Sequence, residues 1–334
     1  VPSGLTVAVV GATGAVGQTT LRLLEERKFP VRALRLFASE RSAGGRLSFA
    51  GEAVPVEPLG PAAFRGVELA FFSAGADQAR TWAPTAVGAG AIVIDKSSAF
   101  RLDPSVPLVV PEVNAAALRG HRGIVACPNC TSIVTVMPLK PLHDAAGLRR
   151  VVATSYQAVS GAGVGGVAEL DAQARAWARG EEAPARVFPH RIAFNVIPQI
   201  DRFGDAGYTG EEWKLVHELR KILALPALPI APTAVRVPVF TAHAVALNVE
   251  TETPVAPDRA RELFAAFPGL RVWDDPAEQR YPMPVVAEGQ DDCFVGRIRA
   301  DLSHPSALNC WVVGDQLRKG AALNGLQIAE LLLR

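Results

Sequence analysis

Residues 124–134 read IVACPNCTSIV and hold two thiols, Cys127 and Cys130, at a spacing that serves three different chemistries. They could be half of a zinc site, a dithiol redox pair, or one nucleophile beside an unreactive neighbour. A closed zinc site takes four ligands, usually as two short-spaced pairs, and the remaining cysteines, Cys293 and Cys310, do not form such a pair. Only His121 lies near the segment, so no metal is expected. The other two readings turn on local structure. GIVA reads as a strand, Pro128 and Asn129 as a turn, and TSIVTVMPLKPLH as the start of a helix, which puts Cys130 at or beside a helix N-terminus. Open N–H groups and the positive dipole end favour thiolate there, and can move a cysteine from about 8.5 into the range of roughly 3.5 to 7.5. In dithiol motifs the first cysteine usually takes the exposed helix start; here the second does. The pattern favours Cys130 as a single nucleophile, with Cys127 an ordinary buried cysteine at the strand end.

A second chemical signal sits near the N-terminus. LTVAVV is a short apolar run, GATGAVG follows, and TTLRLLEERK continues with apolar residues at helical spacing. Gly11, Gly14 and Gly17 recur every third residue in that strand–turn–helix context. They would let the backbone around Thr13, Ala15 and Val16 approach a pyrophosphate at the helix N-terminus. The spacing departs from the usual G-x-G-x-x-G. FASERSAG, at the end of the second strand, offers Ser39, Arg41 and Ser42 as donors for a 2′-phosphate. Glu40 could instead serve the ribose hydroxyls of NAD. An arginine between two hydroxyls suits phosphate better, so NADP is the expected cofactor.

The elements that must position these groups fall into two textures. Up to about residue 128, short apolar strands (ALRLFA, VELAFFSAG, AIVID, PLVVP, GIVA) alternate with helical stretches, as in an α/β, Rossmann-like, doubly wound and mostly parallel sheet. From about 150 onward, VVATSYQAVS, TAVRVPVFTAHAVALNVETE, CFVGRIRADL and ALNCWVVGDQ alternate like a mixed or antiparallel sheet with one open face, the mark of an α+β domain. TGEEWKLVHELRKIL opens on Thr209 with Glu212 three residues on, a capping box that places Lys214 just past the first turn. The last segment, GAALNGLQIAELLLR, reads as an amphipathic helix.

The totals narrow the class. The chain has 334 residues, 49% hydrophobic, enough for two cores. Its 34 basic and 33 acidic residues leave a net charge of +1, which gives no global pull toward nucleic acid or anionic membranes. No stretch reaches the roughly 18 uninterrupted apolar residues of a membrane span. Four cysteines do not build a disulfide scaffold. A cytoplasmic protein acting on small molecules is expected.

In order along the chain, GATGAVG, ASERSAG, FFSAG, SSAFR, VPEVN, PNC, YQAVSGAG, AFNVIPQID, RVPV with a following histidine, FVGRIR and WVVGDQLRKGAALN resemble the bacterial aspartate-semialdehyde dehydrogenase family nearly end to end. One departure is Cys-Thr-Ser at 130–132, where many relatives have Cys-Ser-Thr. The resemblance implies a Rossmann domain over 1–128 plus about 317–334, and a catalytic and dimerisation domain over 129–316. It implies NADPH-dependent reduction of β-aspartyl phosphate to the semialdehyde, reversibly, by a homodimer or homotetramer. Cys130 would form a thioacyl intermediate, His243 act as acid/base, and Gln157 orient the acyl group. Asn129 would donate toward phosphate or oxyanion, or only shape the turn. Arg236 would anchor the substrate carboxylate and Arg101 its phosphate; Glu211 and Lys214 would take the amino group and the phosphate. Ser160, Gly161, Gly163, Ser73, Gly75 and Asn324 would add cofactor contacts, the last requiring the closing helix to return to the first domain. Arg236 and His243 stand seven apart, so one straight strand would face them oppositely, and Pro238 suggests a break. Related acyl-phosphate reductases, such as N-acetyl-glutamyl-phosphate reductase or glyceraldehyde-phosphate dehydrogenase, share the glycine turn and thiol but not the whole set from SSAFR to RVPV. A silent NADP-binding scaffold is the alternative of another class.

Overall fold

The computed structural model describes residues 4–333. The chain forms two compact units, one of the residues up to Asn129 with those from Ala321 onward, the other Cys130–Gly320.

In the first unit β1 (Leu5–Val10) runs into α1 (Ala15–Glu26), followed by β2 (Val31–Ala38), β3 (Arg46–Phe49), β4 (Glu52–Pro58), β5 (Leu69–Phe72), α2 (Ala76–Gly88), β6 (Ile92–Asp95), α3 (Pro111–Asn114) and β7 (Ile124–Ala126). The sheet order is β3-β4-β2-β1-β5-β6-β7, and every neighbouring pair is parallel except β3 with β4. Both faces are covered, as a parallel sheet requires: Val7 and Val9 pack into one core cluster, Ala8 and Val10 into another. One reading from sequence needs correction. PLVVP is not a strand; only Leu108 bridges to Ala126 before α3 begins at Pro111. The β3–β4 hairpin was not expected. It turns on Ala50 and Gly51, both at positive φ (51° and 82°), a geometry usually marked by Asn-Gly rather than Ala-Gly.

The second unit begins with α4 (Cys130–Ala146) and β8 (Leu148–Gln157), then α5 (Gly163–Ala178), α6 (Gly210–Ile222), β9 (Ile230–Arg236), β10 (His243–Thr251), α7 (Pro257–Ala266), β11 (Leu270–Val272), α8 (Pro284–Ala287), β12 (Cys293–Ala300) and β13 (Ala307–Gly314). Its six strands lie in the order β11-β12-β13-β10-β8-β9, with β11/β12 and β8/β9 parallel and the rest antiparallel. Val151, Ala153, Ser155 and Gln157 are buried on one face of β8; Val152, Thr154 and Tyr156 are half-buried on the other. That alternation is the signature of a sheet covered on one side.

The stretch TAVRVPVFTAHAVALNVETE is two strands, not one. β9 stops at Arg236, residues 237–242 cross over, and β10 starts at His243 directly after Ala242, whose φ is 65°. After β13 the chain passes a π-helical turn (Arg318–Ala322) into α9 (Leu323–Leu332), which packs in the first unit, where Glu330 pairs with Arg27 at 2.7 Å.

Thr209 caps α6 reciprocally: its hydroxyl accepts from Glu212 N at 3.4 Å and its own N–H donates to Glu212 Oε2 at 2.7 Å. Thr209→Ala removes the first bond and should cost about 1 kcal/mol, read as a lower urea midpoint, with Thr209→Ser close to wild type. An unchanged midpoint in the alanine variant would show that the cap does not hold this helix.

Candidate active site

The strand register supplies the frame. Gln157 pairs with His243 on one side and Arg236 on the other, and His243 pairs in turn with Gly314. Residues abreast in a sheet point the same way, so histidine, glutamine and arginine emerge side by side on the helix-covered face. All three are buried. The same face carries α4, and Gly314 admits it: a Cβ there would stand 2.8 Å from Val134 Cγ2. Cys130 is the first residue of α4, one turn before Val134, and is only partly buried. A Cβ on Gly320 would come to 3.1 Å from Cys130 Cβ, so a glycine also flanks the thiol.

His243 is fully buried. Ala158 N donates to its Nδ1 at 3.1 Å, which leaves the proton of the neutral ring on Nε2, and that nitrogen has no partner among the described residues. Burial, and then the neighbouring Arg236 guanidinium, hold the imidazole down at about 3 against the opposing pull of Glu211. A buried, unsatisfied N–H is costly, and an incoming oxygen would relieve the cost.

The loop after β8 closes over this row. Arg236 Nη1 donates to Ala158 O at 2.6 Å, and a Cβ on Gly161 would sit 2.8 Å from Nη1 and 3.3 Å from His243 Nε2, so any larger residue there would press on the guanidinium. Burial lowers the Arg236 pKa, while Glu211 and Cys130 both favour its charge. Glu211, buried on α6, accepts from Gln157 Nε2 at 3.2 Å and from Lys214 Nζ at 3.2 Å. Lys214 also reaches Asp201 at 2.9 Å. Burial works against the Lys214 charge, but the two carboxylates outweigh it and its pKa is raised.

In the first unit, a cleft of about 660 Å³ is lined by Gly11, Ser39, Glu40, Arg41, Ala74, Gln78 and Trp82, among others. α1 starts after Gly14 with no side-chain cap and no acid in its first turn, so the N–H groups around Ala15, Val16 and Gly17 are open to an anion. Gly11 has φ 83°, and a Cβ on it would lie 2.7 Å from the Ser73 carbonyl; one on Gly17 would collide with the Gly11 oxygen. Ser73 Oγ is buried without a partner among the described residues. A tight glycine turn with an orphaned hydroxyl beside it fits a dinucleotide. Thr13 is half-buried in the same turn, Gly75 precedes α2 at φ 89°, and Ser42 closes the short 3₁₀ turn begun by Glu40.

Arg101 and Asn324 are more committed than the sequence suggests. Arg101, also in the first unit, is buried and donates to the carbonyls of Cys127 and Lys96, each at 2.9 Å. Asn324 is fully buried and donates to Val109 O at 2.9 Å. Cys127 is fully buried and its thiol is pushed up to about 11, mainly by burial. Asn129 is the half-buried residue before α4; in the second unit Ser160 is buried and Gly163 takes φ 77° at the start of α5.

Sequence reasoning missed several participants. Gln316, 2% exposed, accepts from Ala242 N at 2.6 Å and donates to Ser160 Oγ, tying the residue before His243 to the loop over it. Ser155 supports Gln157, Asp201 pairs Lys214, and Thr131 Oγ1 reaches Glu211 at 3.5 Å. Only a DQ pair after a strand could have marked Gln316.

A doubly wound unit with a glycine turn, and a second unit whose buried histidine, glutamine and arginine share a sheet face with the helix that begins at Cys130, are the parts of a nucleotide-dependent dehydrogenase. Residues 6–121 match the family model described as semialdehyde dehydrogenase, NAD binding domain, and residues 139–319 that of the semialdehyde dehydrogenase dimerisation domain. The chain is 50% identical to aspartate-semialdehyde dehydrogenase of Aquifex aeolicus over 335 residues (99% of this chain, 98% of that one), and 48% to that of Bacillus subtilis over 337 residues (98% and 97%). A crystal structure of aspartate semialdehyde dehydrogenase II complexed with ASA from Vibrio cholerae superimposes with TM-score 0.95 at 46% identity (99% and 98% covered). The Candida albicans enzyme with NADP gives 0.78 at 25% identity (99% of both). The chain belongs to the aspartate-semialdehyde dehydrogenase family.

With its pKa near 3, His243 should keep the neutral Nε2–H form from pH 8 down to about 4 in ¹⁵N NMR of the ring. The unfolded chain takes up the proton near 6.5, so stability should fall as pH drops from there toward 3, by at most about 1.4 kcal/mol per pH unit from this group. A ring titration near 6.5 in the folded protein would contradict the buried environment.

Proposed function

We propose that the protein catalyses the reversible, NADPH-dependent reductive dephosphorylation of L-aspartyl-4-phosphate to L-aspartate 4-semialdehyde, a step toward lysine, threonine, methionine and isoleucine. The observation that carries the residue assignments is the Arg236–Gln157–His243 row on the face that bears the Cys130 helix. A carboxylate, an acyl group and a developing oxyanion each find one matching group there.

Cys130 is the nucleophile. Its thiolate attacks the acyl carbon of aspartyl phosphate, the C–O bond to phosphate breaks, and a thioester remains on the enzyme. The chemistry that bound NADP would supply there is hydride exchange at the acyl carbon. Gly11, Thr13, Gly14, Ala15, Val16, Gly17, Ser73 and Gly75 would hold its pyrophosphate and ribose region. Ser39, Arg41 and Ser42 would take the 2′-phosphate, with Ser160, Gly161, Gly163 and Asn324 as the remaining contacts. Arg236 pairs bidentately with the substrate carboxylate and Glu211 takes the ammonium group. Lys214 and Arg101 serve phosphate, Asn129 supports the oxyanion, and Gln157 orients the acyl oxygen.

His243 Nε2–H donates to that oxygen in the resting tautomer. Arg236 is the second cause of its depressed pKa, and a bound carboxylate offsets that charge. The imidazole therefore becomes a stronger base when substrate arrives, which suits acid/base work on the hemithioacetal.

The second unit is assigned to self-association as a homodimer. Its half-buried sheet face, with Val152, Thr154, Asn248 and Trp311 around a hollow of about 470 Å³, is the surface that supports this reading. Four free cysteines suit a reducing cytoplasm.

Aspartate semialdehyde with NADP should yield NADPH only when phosphate or arsenate is present. Cys130→Ala should abolish this while NADPH still binds, and Arg236→Lys should raise the substrate KM by about tenfold or more, because an ammonium cannot reproduce the planar fork. Steady phosphate-independent turnover, or an active alanine variant, would rule out the thioester route.

A further inference from the structure

We propose that Glu169 and Gln173 are positioning residues that set the affinity of the site for the substrate carboxylate, by clamping an irregular strap over residues 184–197 that grips Arg236. The inference rests on the reading of Arg236 as the carboxylate anchor.

The two side chains lie one turn apart on α5 and are 8% and 3% exposed. On an amphipathic helix such a pair would ordinarily face water. Here Glu169 Oε2 accepts from Arg186 N at 2.8 Å and Val187 N at 2.6 Å, and Oε1 from Phe188 N at 3.3 Å. Gln173 Oε1 accepts from Ile192 N at 2.9 Å and Ala193 N at 3.1 Å, while its amide reaches Pro184 O and Glu169 Oε1 at 3.4 Å each. Residues 184–196 form no helix or strand, so these N–H groups have no ladder to join. Three successive N–H groups offset the burial of the carboxylate, with no cation paired to it among the described residues.

The strap grips Arg236 twice. The Phe188 ring lies under the guanidinium, with Cζ 5.8 Å from the ring centroid. Ile197 exchanges both backbone hydrogen bonds with Arg236, at 2.9 and 2.8 Å. Gly166 on α5 lets the strap close: a Cβ there would be 3.1 Å from Phe188 Cζ and would collide with Val159 O. Val159, Leu170, Phe188, Ile192, Ala193 and Ile197 form the small core beneath. Glu169 thus fixes the N-terminal half of the strap, Gln173 the middle, and Arg236 receives the result at its side chain and its main chain. No part of this chain of contacts runs through Cys130 or the glycine turn of the first unit.

Glu169→Gln keeps the shape but turns an N–H₂ toward backbone donors. In the full-length enzyme the KM for aspartate semialdehyde should rise about tenfold or more, since small misplacement of an anchor is expensive. The kcat, the KM for NADP and the rate of Cys130 alkylation by iodoacetamide should stay within about threefold. In an Arg236→Lys background the same change should add little, because it acts through the guanidinium. Phe188→Leu, which leaves the clamp intact, should give a smaller but equally KM-selective effect and serves if Glu169→Gln does not fold. Two results would overturn the proposal: unchanged substrate KM in both variants, or a parallel fall of kcat, both affinities and thiol reactivity, the mark of general destabilisation. If Arg236→Lys itself leaves KM unchanged, the anchor reading fails and takes the clamp's role with it. If Arg236→Lys raises KM while both strap variants do not, only the clamp is refuted.

Discussion

Side-chain direction in a sheet alternates with every residue, so a slip of one residue in either pairing of β8 would turn Gln157 away from His243 or from Arg236. The rest of the second unit depends on that register. It is fixed on both sides of Gln157 by long ladders, nine positions with β10 and seven with β9. Each ladder is anchored by the same alternation of buried and half-buried residues. The hydrophobic effect that orders the sheet therefore also sets the chemistry abreast. The helix that begins at Cys130 packs on that covered face.

Buried charge is managed locally in this site. Arg236 is held against desolvation by Glu211 and by the Ala158 carbonyl; Glu211 in turn is held by Lys214 and Gln157. His243 also feels Glu211, but burial and then the Arg236 charge outweigh that pull and it stays neutral. That asymmetry is what a site for a zwitterionic, acyl-activated substrate needs: permanent charges where the substrate is charged, and an uncharged ring where its charge is transient. Glycines at 161, 314 and 320 are the steric counterpart, since any Cβ there would crowd Arg236, α4 or Cys130.

Local signals were legible in the sequence. The glycine turn, the helix beginning at Cys130, the capping box at Thr209 and the placement of Glu211 and Lys214 on one helical face each depend on a few consecutive residues, and each was readable. The break between β9 and β10 was only partly so, because the run is mostly apolar and rich in β-branched residues. Only Pro238 hinted at it, and pairing of both halves with β8 is a non-local choice. The roles of Glu169, Gln173 and Gln316 were invisible for the same reason: a polar side chain that satisfies a distant backbone looks in sequence like one that faces water. Arg101 and Asn324 show the converse, residues marked by motif whose hydrogen bonds serve the framework of the first unit as well.

In the proposed reaction Cys130 carries the acyl group. Enzyme mixed with aspartate semialdehyde and NADP in the absence of phosphate, quenched in acid and digested, should show by mass spectrometry an aspartyl thioester on the sulfur of residue 130, lost when phosphate is added before the quench. Phosphate-dependent turnover with no adduct on that peptide, or an adduct on Cys127 instead, would contradict it.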